Sequence, residues 1–98
     1  MKKLLLATLM VFATGQVIAD PALEQKYTKT CAICHAAGVA GAPKTGDPVE
    51  WEARLAKGDE ALLKSMNEGL NAMPPKGMCM DCTDQQFLDL IKYMATAK

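Results

Sequence analysis

One short motif constrains the fold of this chain more than any other feature of its sequence. It is Cys31-Ala32-Ile33-Cys34-His35, in which two cysteines three residues apart are followed directly by a histidine. Residues three apart on a helix lie on one face, with about 5–6 Å between their Cβ atoms. This spacing suits thioether bonds to the two vinyl groups on one edge of a haem, and the next residue can bind the iron. The motif therefore predicts one covalent haem c, attached at Cys31 and Cys34, with His35 as the proximal iron ligand.

The same pair of cysteines has two other interpretations. Cys-x-x-Cys also occurs in zinc half-sites and in redox dithiols. Neither requires a histidine directly after the second cysteine, and a zinc ribbon that used all four cysteines would have to span the long stretch between Cys34 and Cys79. The sequence therefore favours haem over zinc or a dithiol.

Residues 1–19 predict a secretory signal peptide. They begin with a basic pair, continue with an apolar stretch over residues 4–13, and end with small side chains before an expected cut between Ala19 and Asp20. The apolar stretch is shorter than the about 20 residues that a spanning helix needs, so we expect no stable membrane insertion after cleavage. Export places the mature chain in the periplasm, where haem is attached covalently and disulfides persist.

Cleavage would leave residues 20–98 as a single small domain. A domain of this size buries only about 60% of the surface that its unfolded chain exposes, so a haem would supply much of the missing core. The cut removes two lysines and no acidic residue, so the net charge changes from zero to −2. A net negative charge argues against nucleic acid as a partner.

The mature chain predicts an all-α fold, with about four helices packed around the haem. Strand patterns are absent, because its β-branched residues never alternate over a run. Asp20-Pro21 and Asp47-Pro48 each combine a capping aspartate with a proline at the first helical position, and Thr83 with Gln86 forms a capping box for the last helix. Helical spacing then predicts the core-facing side chains. They are Leu23, Tyr27, Val49, Trp51, Leu55, Leu62, Leu63, Met66, Leu70, Phe87, Leu90, Ile91, Met94 and Ala95.

Taken together, these segments resemble a class I c-type cytochrome and, more narrowly, the cytochrome c5 group. The motif-bearing helix near the mature N-terminus, the Met-Pro loop and the C-terminal helix match the class. Residues 71–77 and 79–84 match the c5 group, as do residues 38–44 and 51–54. The resemblance covers essentially all of residues 20–98, and it implies a cytochrome c domain with the class I cytochrome c fold over this range.

The resemblance also implies roles for residues outside the motif. Cys79 and Cys82 lack a following histidine, so they are not a second haem site. The c5 group has a disulfide there, and a redox-active dithiol is the alternative. Tyr27 would pack against Tyr93, and the carbonyl of Pro43 would accept the N–H of the proximal histidine.

Trp51 and Arg54 have two interpretations. They could donate hydrogen bonds to haem propionates, or they could be a core tryptophan beside a solvated arginine. Lys44, Lys57 and Lys76 could likewise ring the exposed haem edge or be ordinary surface charges.

The sixth ligand of the iron is the remaining choice. His35 is the only histidine, so this position falls to methionine, lysine, the amino terminus, water or nothing. Met66 and Met94 lie on apolar helix stripes and are expected to fill the core. Two prolines follow Met73 and favour a stiff, extended backbone there, and the c5 resemblance points to the same residue. We therefore expect Met73 as the distal ligand, with Met78, which stands where a second glycine is commoner, as the second choice.

These features predict a small, soluble, periplasmic monohaem electron carrier. It would pass single electrons between respiratory donors and terminal oxidase, peroxidase or reductase partners, through transient contacts with periplasmic and membrane redox proteins. We expect the carrier to be a monomer. We also expect that it transforms no substrate, since no motif outside the haem site places a catalytic base or a carboxylate pair. The alternative is a haem enzyme or gas sensor with an open sixth position, which a bound Met73 thioether would exclude.

Overall fold

A computed structural model describes residues 20–97. The predicted signal peptide, residues 1–19, lies outside the described residues. Over residues 20–97 the chain forms four helices and no β-sheet, which confirms the predicted all-α fold. None of these helices is long and apolar enough to cross a membrane.

Helix α1, residues 21–35, carries the cysteine–histidine motif at its end. It consists of Pro21–Lys26, a π-helical turn over Tyr27–Cys31, and Ala32–His35. As the capping pattern predicts, the Asp20 carboxylate accepts a hydrogen bond from the main chain of the first turn at 3.0 Å. The sequence pattern does not predict the π turn, a feature that often marks functional sites. Here it ends at the first cysteine of the motif.

Helices α2, Pro48–Leu55, and α3, Asp59–Glu68, follow a glycine-rich loop. The predicted burial is right for Trp51 but wrong for Val49 and Leu55, whose side chains are 77% and 41% exposed. Val49 lies two residues from Trp51 and so lies on the opposite side of the helix. Leu55 lies four residues after Trp51, on the same side, but it is the last residue of α2 and only part of its side chain is covered.

Leu70 is a further exception to the predicted core. Gly69 ends α3 with an extended backbone at a positive φ of +84°, so the helical spacing that predicts burial does not extend to Leu70. The Leu70 side chain is half exposed and lines the cleft described below.

Helix α4, Asp84–Thr96, lies at the centre of the core. Its predicted capping box is present: the Gln86 N–H donates to Thr83 Oγ1 at 3.2 Å, and the Thr83 N–H donates to Gln86 Oε1 at 2.9 Å. Tyr93 packs against Tyr27 of α1, with ring centroids 4.9 Å apart. The buried apolar side chains of the core are Cys31, Trp51, Met66, Cys79, Cys82, Phe87, Leu90, Ile91 and Met94.

Candidate functional site

An open cleft lies beside the motif at the end of α1. Cys31, Cys34 and His35 line it from α1, and Met73 lines it from the chain that follows α3. Most of the other lining residues are apolar. The structure therefore brings the predicted haem-binding residues together at one apolar cleft, whereas the second cysteine pair lies outside its lining.

His35 is buried at the cleft, and one of its ring nitrogens is already bonded. Its Nδ1 lies 2.8 Å from the carbonyl oxygen of Pro43, as the resemblance implies. A carbonyl can only accept, so Nδ1 carries a proton, and in the neutral imidazole Nε2 is then the nitrogen with the free lone pair. A neutral imidazole in this tautomer is the form that binds a metal, and the bond to the carbonyl increases its basicity.

The carbonyl that bonds the imidazole belongs to residues 43–46, which we call the proximal segment. Hydrogen bonds from distant helices hold this segment. The Thr45 N–H donates to the last carbonyl of α1 at 2.8 Å, and the Tyr27 hydroxyl donates to Thr45 Oγ1 at 2.8 Å. The Gly46 N–H donates to the Met94 carbonyl oxygen in α4 at 2.7 Å. Because the partners lie far apart along the chain, sequence patterns do not predict this network.

Trp51 and Arg54, the two candidate propionate donors, both donate to main-chain carbonyls. The Trp51 Nε1–H donates to the Lys44 carbonyl oxygen at 2.9 Å, and an Arg54 Nη1–H donates to the Glu50 carbonyl oxygen at 2.7 Å. The Trp51 ring also lies beside the ring of His35, with centroids 5.7 Å apart. Trp51 is therefore a core residue that holds the proximal segment and neighbours the imidazole.

Met73 lies in a tight turn within residues 69–78, which we call the distal segment. Its N–H donates to the Leu70 carbonyl oxygen at 2.9 Å, and its carbonyl accepts from the Leu70 N–H at 3.0 Å. Asn71 closes this turn in the left-handed region, at a φ of 53°, which asparagine adopts more readily than most residues. At Gly69, a Cβ would lie 2.8 Å from the Met73 carbonyl oxygen. The prolines after Met73 do not predict this turn, although a glycine and an asparagine two positions apart are typical of one.

The Met73 side chain lies close to a second glycine, Gly77. A Cβ at Gly77 would lie 3.1 Å from Met73 Cε and 3.8 Å from Met66 Cε. The neighbours Lys76 and Met78 have positive φ values of 62° and 68°, so Met78 adopts a conformation that glycine favours. The methionines that line the cleft are Met66, Met73, Met78 and Met94. The choice of Met73 as the distal ligand stays a prediction.

Cys79 and Cys82 are joined by a disulfide, and both are buried. Bonded sulfurs cannot act as thiolate ligands, so these two cysteines do not form a zinc site with the motif cysteines. Asp81, between them, forms an ion pair with Lys26 of α1 at 3.0 Å. The hydrogen bond from Lys26 lowers the pKa of the Asp81 carboxyl. The disulfide loop is thereby tied to α1.

The motif cysteines form no disulfide with each other or with the second pair. Cys31 is buried and Cys34 is partly exposed. Burial raises the pKa of the Cys31 thiol, and the Thr30 hydroxyl lies 3.5 Å from its sulfur. Two thiols at one helix end, an imidazole with a free Nε2 and an apolar lining are the chemistry that a covalent haem requires. The residues present therefore fit this cofactor.

Known proteins resemble this chain over nearly all of its described part. A family model described as cytochrome c oxidase, cbb3-type, subunit III matches residues 19–94. The cytochrome c5 of Azotobacter vinelandii is 46% identical over 74 residues, which cover 74% of this chain and 89% of the relative. A mono-heme ferrocytochrome c from Shewanella putrefaciens has 54% identity and a TM-score of 0.68, over 78% of this chain and 94% of its own. A chain in the crystal structure of the electron transfer complex of nitrite reductase with cytochrome c has 42% identity and a TM-score of 0.67, over 78% of this chain and 93% of its own.

Proposed function

The chain belongs to the class I c-type cytochromes of the c5 group, and from that membership we propose that it is a periplasmic carrier of single electrons between respiratory proteins. Like its relatives, it carries one covalently bound haem c and is an electron carrier. In this proposal residues 1–19 are removed as a signal peptide, and residues 20–98 form the mature cytochrome c domain, a monomer without nucleic-acid partners.

The proposal gives each site residue one role. Cys31 and Cys34 form the thioether bonds, His35 binds the iron through Nε2, and Met73 supplies the distal thioether. The observation that best supports this proposal is the 2.8 Å hydrogen bond between His35 Nδ1 and the Pro43 carbonyl oxygen, which leaves Nε2 as the free imidazole nitrogen. When bound, the haem supplies a one-electron iron couple, and methionine ligation raises its potential. The chain holds both ligands in place and shields them with apolar side chains.

The mouth of the cleft supports transient contact with a redox partner. Contacts between electron-transfer proteins are small, below about 1,200 Å² of buried surface. A mainly apolar rim suits such a contact, because few ionised groups need to lose their water; Arg54 is a charged side chain that lines the cleft. Nitrite reductase forms an electron transfer complex with the similar cytochrome c, so we propose a reductase, oxidase or peroxidase as the acceptor. The exposed apolar side chains that line the cleft are Ile33, Val39, Leu70 and Met78.

Replacement of Met73 tests both the ligation and the carrier function. The Met73→Ala holoprotein should lose the weak near-infrared absorption of a sulfur–iron bond. Its ferrous form should bind carbon monoxide, because the sixth position opens. The wild type should show the band, bind no carbon monoxide and turn over no peroxide. Met78→Ala is the matched control, since Met78 also lines the cleft, and it should keep the band.

Two outcomes would contradict this proposal. If Met78→Ala lost the band and Met73→Ala kept it, Met78 would be the distal ligand. If the wild type bound carbon monoxide or turned over peroxide, the sixth position would be open, and the protein would be an enzyme or sensor rather than a carrier.

A further inference from the structure

Trp51 is 4% exposed and meets the proximal side of the site in two ways. Its ring lies beside that of His35, with centroids 5.7 Å apart and 31° between the planes. Its Nε1–H donates at 2.9 Å to the carbonyl oxygen of Lys44, the residue directly after Pro43. An indole has one donor and no acceptor, so this bond uses its whole hydrogen-bonding capacity.

Both main-chain polar groups of Lys44 are hydrogen-bonded. Its carbonyl oxygen accepts from Trp51 and from the Asp47 N–H at 3.0 Å, and its N–H donates to Glu50 Oε2 at 3.3 Å. The Lys44 N–H and the Pro43 carbonyl belong to one planar peptide unit. The Lys44 carbonyl belongs to the next peptide unit, so the bonds at both units of Lys44 limit the direction of the Pro43 carbonyl through the φ and ψ of this one residue. The Pro43 oxygen is the acceptor for the proximal imidazole.

We propose that Trp51 is a positioning residue for His35. By locking the Lys44 carbonyl, Trp51 sets the length and direction of the hydrogen bond from His35 Nδ1 to Pro43. This inference rests on the proposed ligation by His35. A well-aligned bond makes the imidazole a stronger donor, which stabilises the oxidised, more positive iron and lowers the reduction potential. A loosened bond should therefore raise the potential.

The test compares the holoproteins of Trp51→Phe and Tyr27→Phe. The first substitution removes the indole donor, whereas the second removes a hydroxyl that bonds Thr45 in the same segment. We expect Trp51→Phe to shift the one-electron equilibrium between oxidised and reduced protein about threefold toward the reduced form. Since a tenfold change in this equilibrium constant corresponds to about 59 mV, the reduction potential should rise by about 28 mV. Tyr27→Phe should shift it far less. In the ferrous protein, the His35 Nδ1–H should exchange faster with solvent in Trp51→Phe alone.

The wild type offers a second measurement, because Trp51 is the only tryptophan in the chain. Its single indole N–H resonance should be protected from solvent exchange and show a nuclear Overhauser contact with Lys44 or Pro43. An indole resonance that instead follows the titration of a haem propionate would overturn the proposal. So would unchanged potential and His35 exchange in Trp51→Phe, or equal shifts in the two variants.

Failure of the ligation itself would look different from failure of the positioning role. Without His35 on the iron, the wild type would lack a low-spin spectrum, whatever its Trp51 variants do. A low-spin wild type with a freely exchanging indole N–H would retain the ligation and overturn the role of Trp51. If Trp51→Phe gave no folded holoprotein, the wild-type indole measurement would decide.

Discussion

The proximal and distal segments both contribute residues to the lining of the cleft, yet they are held in different ways. The proximal segment, residues 43–46, bonds to α1, α2 and α4. The distal segment, residues 69–78, places the Met73 main chain through reciprocal hydrogen bonds with Leu70, three residues earlier. The acceptor for His35 is thus fixed by contacts that exist only in the folded molecule, whereas Met73 is fixed by a local turn.

Backbone conformation separates the two segments further. The left-handed residue of the proximal segment is a glycine, Gly46. The distal segment places Asn71, Lys76 and Met78 in the left-handed region, although none of them is glycine. Such a conformation costs an L-residue about 1–2 kcal/mol. We therefore expect the distal segment to open at a lower free energy than the proximal segment.

A methyl group at Gly46 should have the largest effect, because it disturbs the more firmly held segment. A Cβ there would lie 2.6 Å from the Ala97 carbonyl oxygen, and φ is +85°. The left-handed conformation costs alanine about 1–2 kcal/mol, and overpacking adds about 1–3 kcal/mol. We expect Gly46→Ala to lower the free energy of unfolding of the holoprotein by about 3 kcal/mol, measured by urea denaturation.

Gly58→Ala is the matched control for Gly46→Ala. Gly58 has nearly the same φ, +88°, but a Cβ there would meet no atom within 4 Å. Its ψ of 160° places Gly58 in the extended positive-φ region that is essentially confined to glycine, so the loss should be limited to a conformational cost of about 1–3 kcal/mol. Equal losses in the two variants would mean that the Ala97 carbonyl moves aside easily and that overpacking adds nothing at Gly46.

The same contrast between local and distant contacts explains which parts of the fold can be predicted from the sequence. The caps at Asp20, Asp47 and Thr83 depend on residues a few positions away, so the sequence pattern alone finds them. The error at Val49 arises because the apolar pattern of α2 is too short to determine which side faces the core, and the error at Leu55 arises because α2 ends there.

At the site, the attachment motif is contiguous and is therefore visible in the sequence. The bond from Trp51 to Lys44 is not, because an indole donor has many possible acceptors and only the folded chain selects one. The choice of a distal methionine also depends on the folded chain, since apolar helix stripes place Met66 and Met94 along the cleft as well.

Removal of the disulfide should have the next largest effect, on the distal side. Cys79 and Cys82 follow directly after the distal segment, and closing so short a loop contributes about 2 kcal/mol by the chain-entropy estimate. The Cys79→Ser/Cys82→Ser double variant should lose about this much stability and still attach haem, because Cys31 and Cys34 remain. We expect its sulfur–iron band to disappear at a lower urea concentration than in the wild type.

Thiol labelling checks the premise of that experiment. The native, unreduced holoprotein should show no reactive thiol, and two reactive thiols would refute the bond between Cys79 and Cys82. If the double variant failed to attach haem, the attachment site on the proximal side would also depend on the disulfide. The two sides would then not be held independently.

The smallest effect should come from the ion pair between Asp81 and Lys26, which ties the disulfide loop to α1. The Asp81 side chain is 83% exposed, so water and salt screen the pair. The hydrogen bond from Lys26 holds the pKa of the Asp81 carboxyl below its ordinary 3.8. A carboxyl with a lower pKa in the folded protein adds stability above its unfolded pKa, and this contribution disappears as the pH falls through the folded pKa.

Asp81→Asn should therefore be slightly less stable than the wild type at neutral pH and low salt, with a difference that vanishes in acid below the folded pKa. Unfolding free energies measured over this pH range check the expectation, and Lys26→Gln is the matched control, with a loss of similar size. Because the pair joins α1 to the disulfide loop and not to residues 43–46, neither variant should change the reduction potential. A loss at neutral pH as large as that of the disulfide variant would mean that distant contacts hold the distal side too, and the two sides would no longer differ.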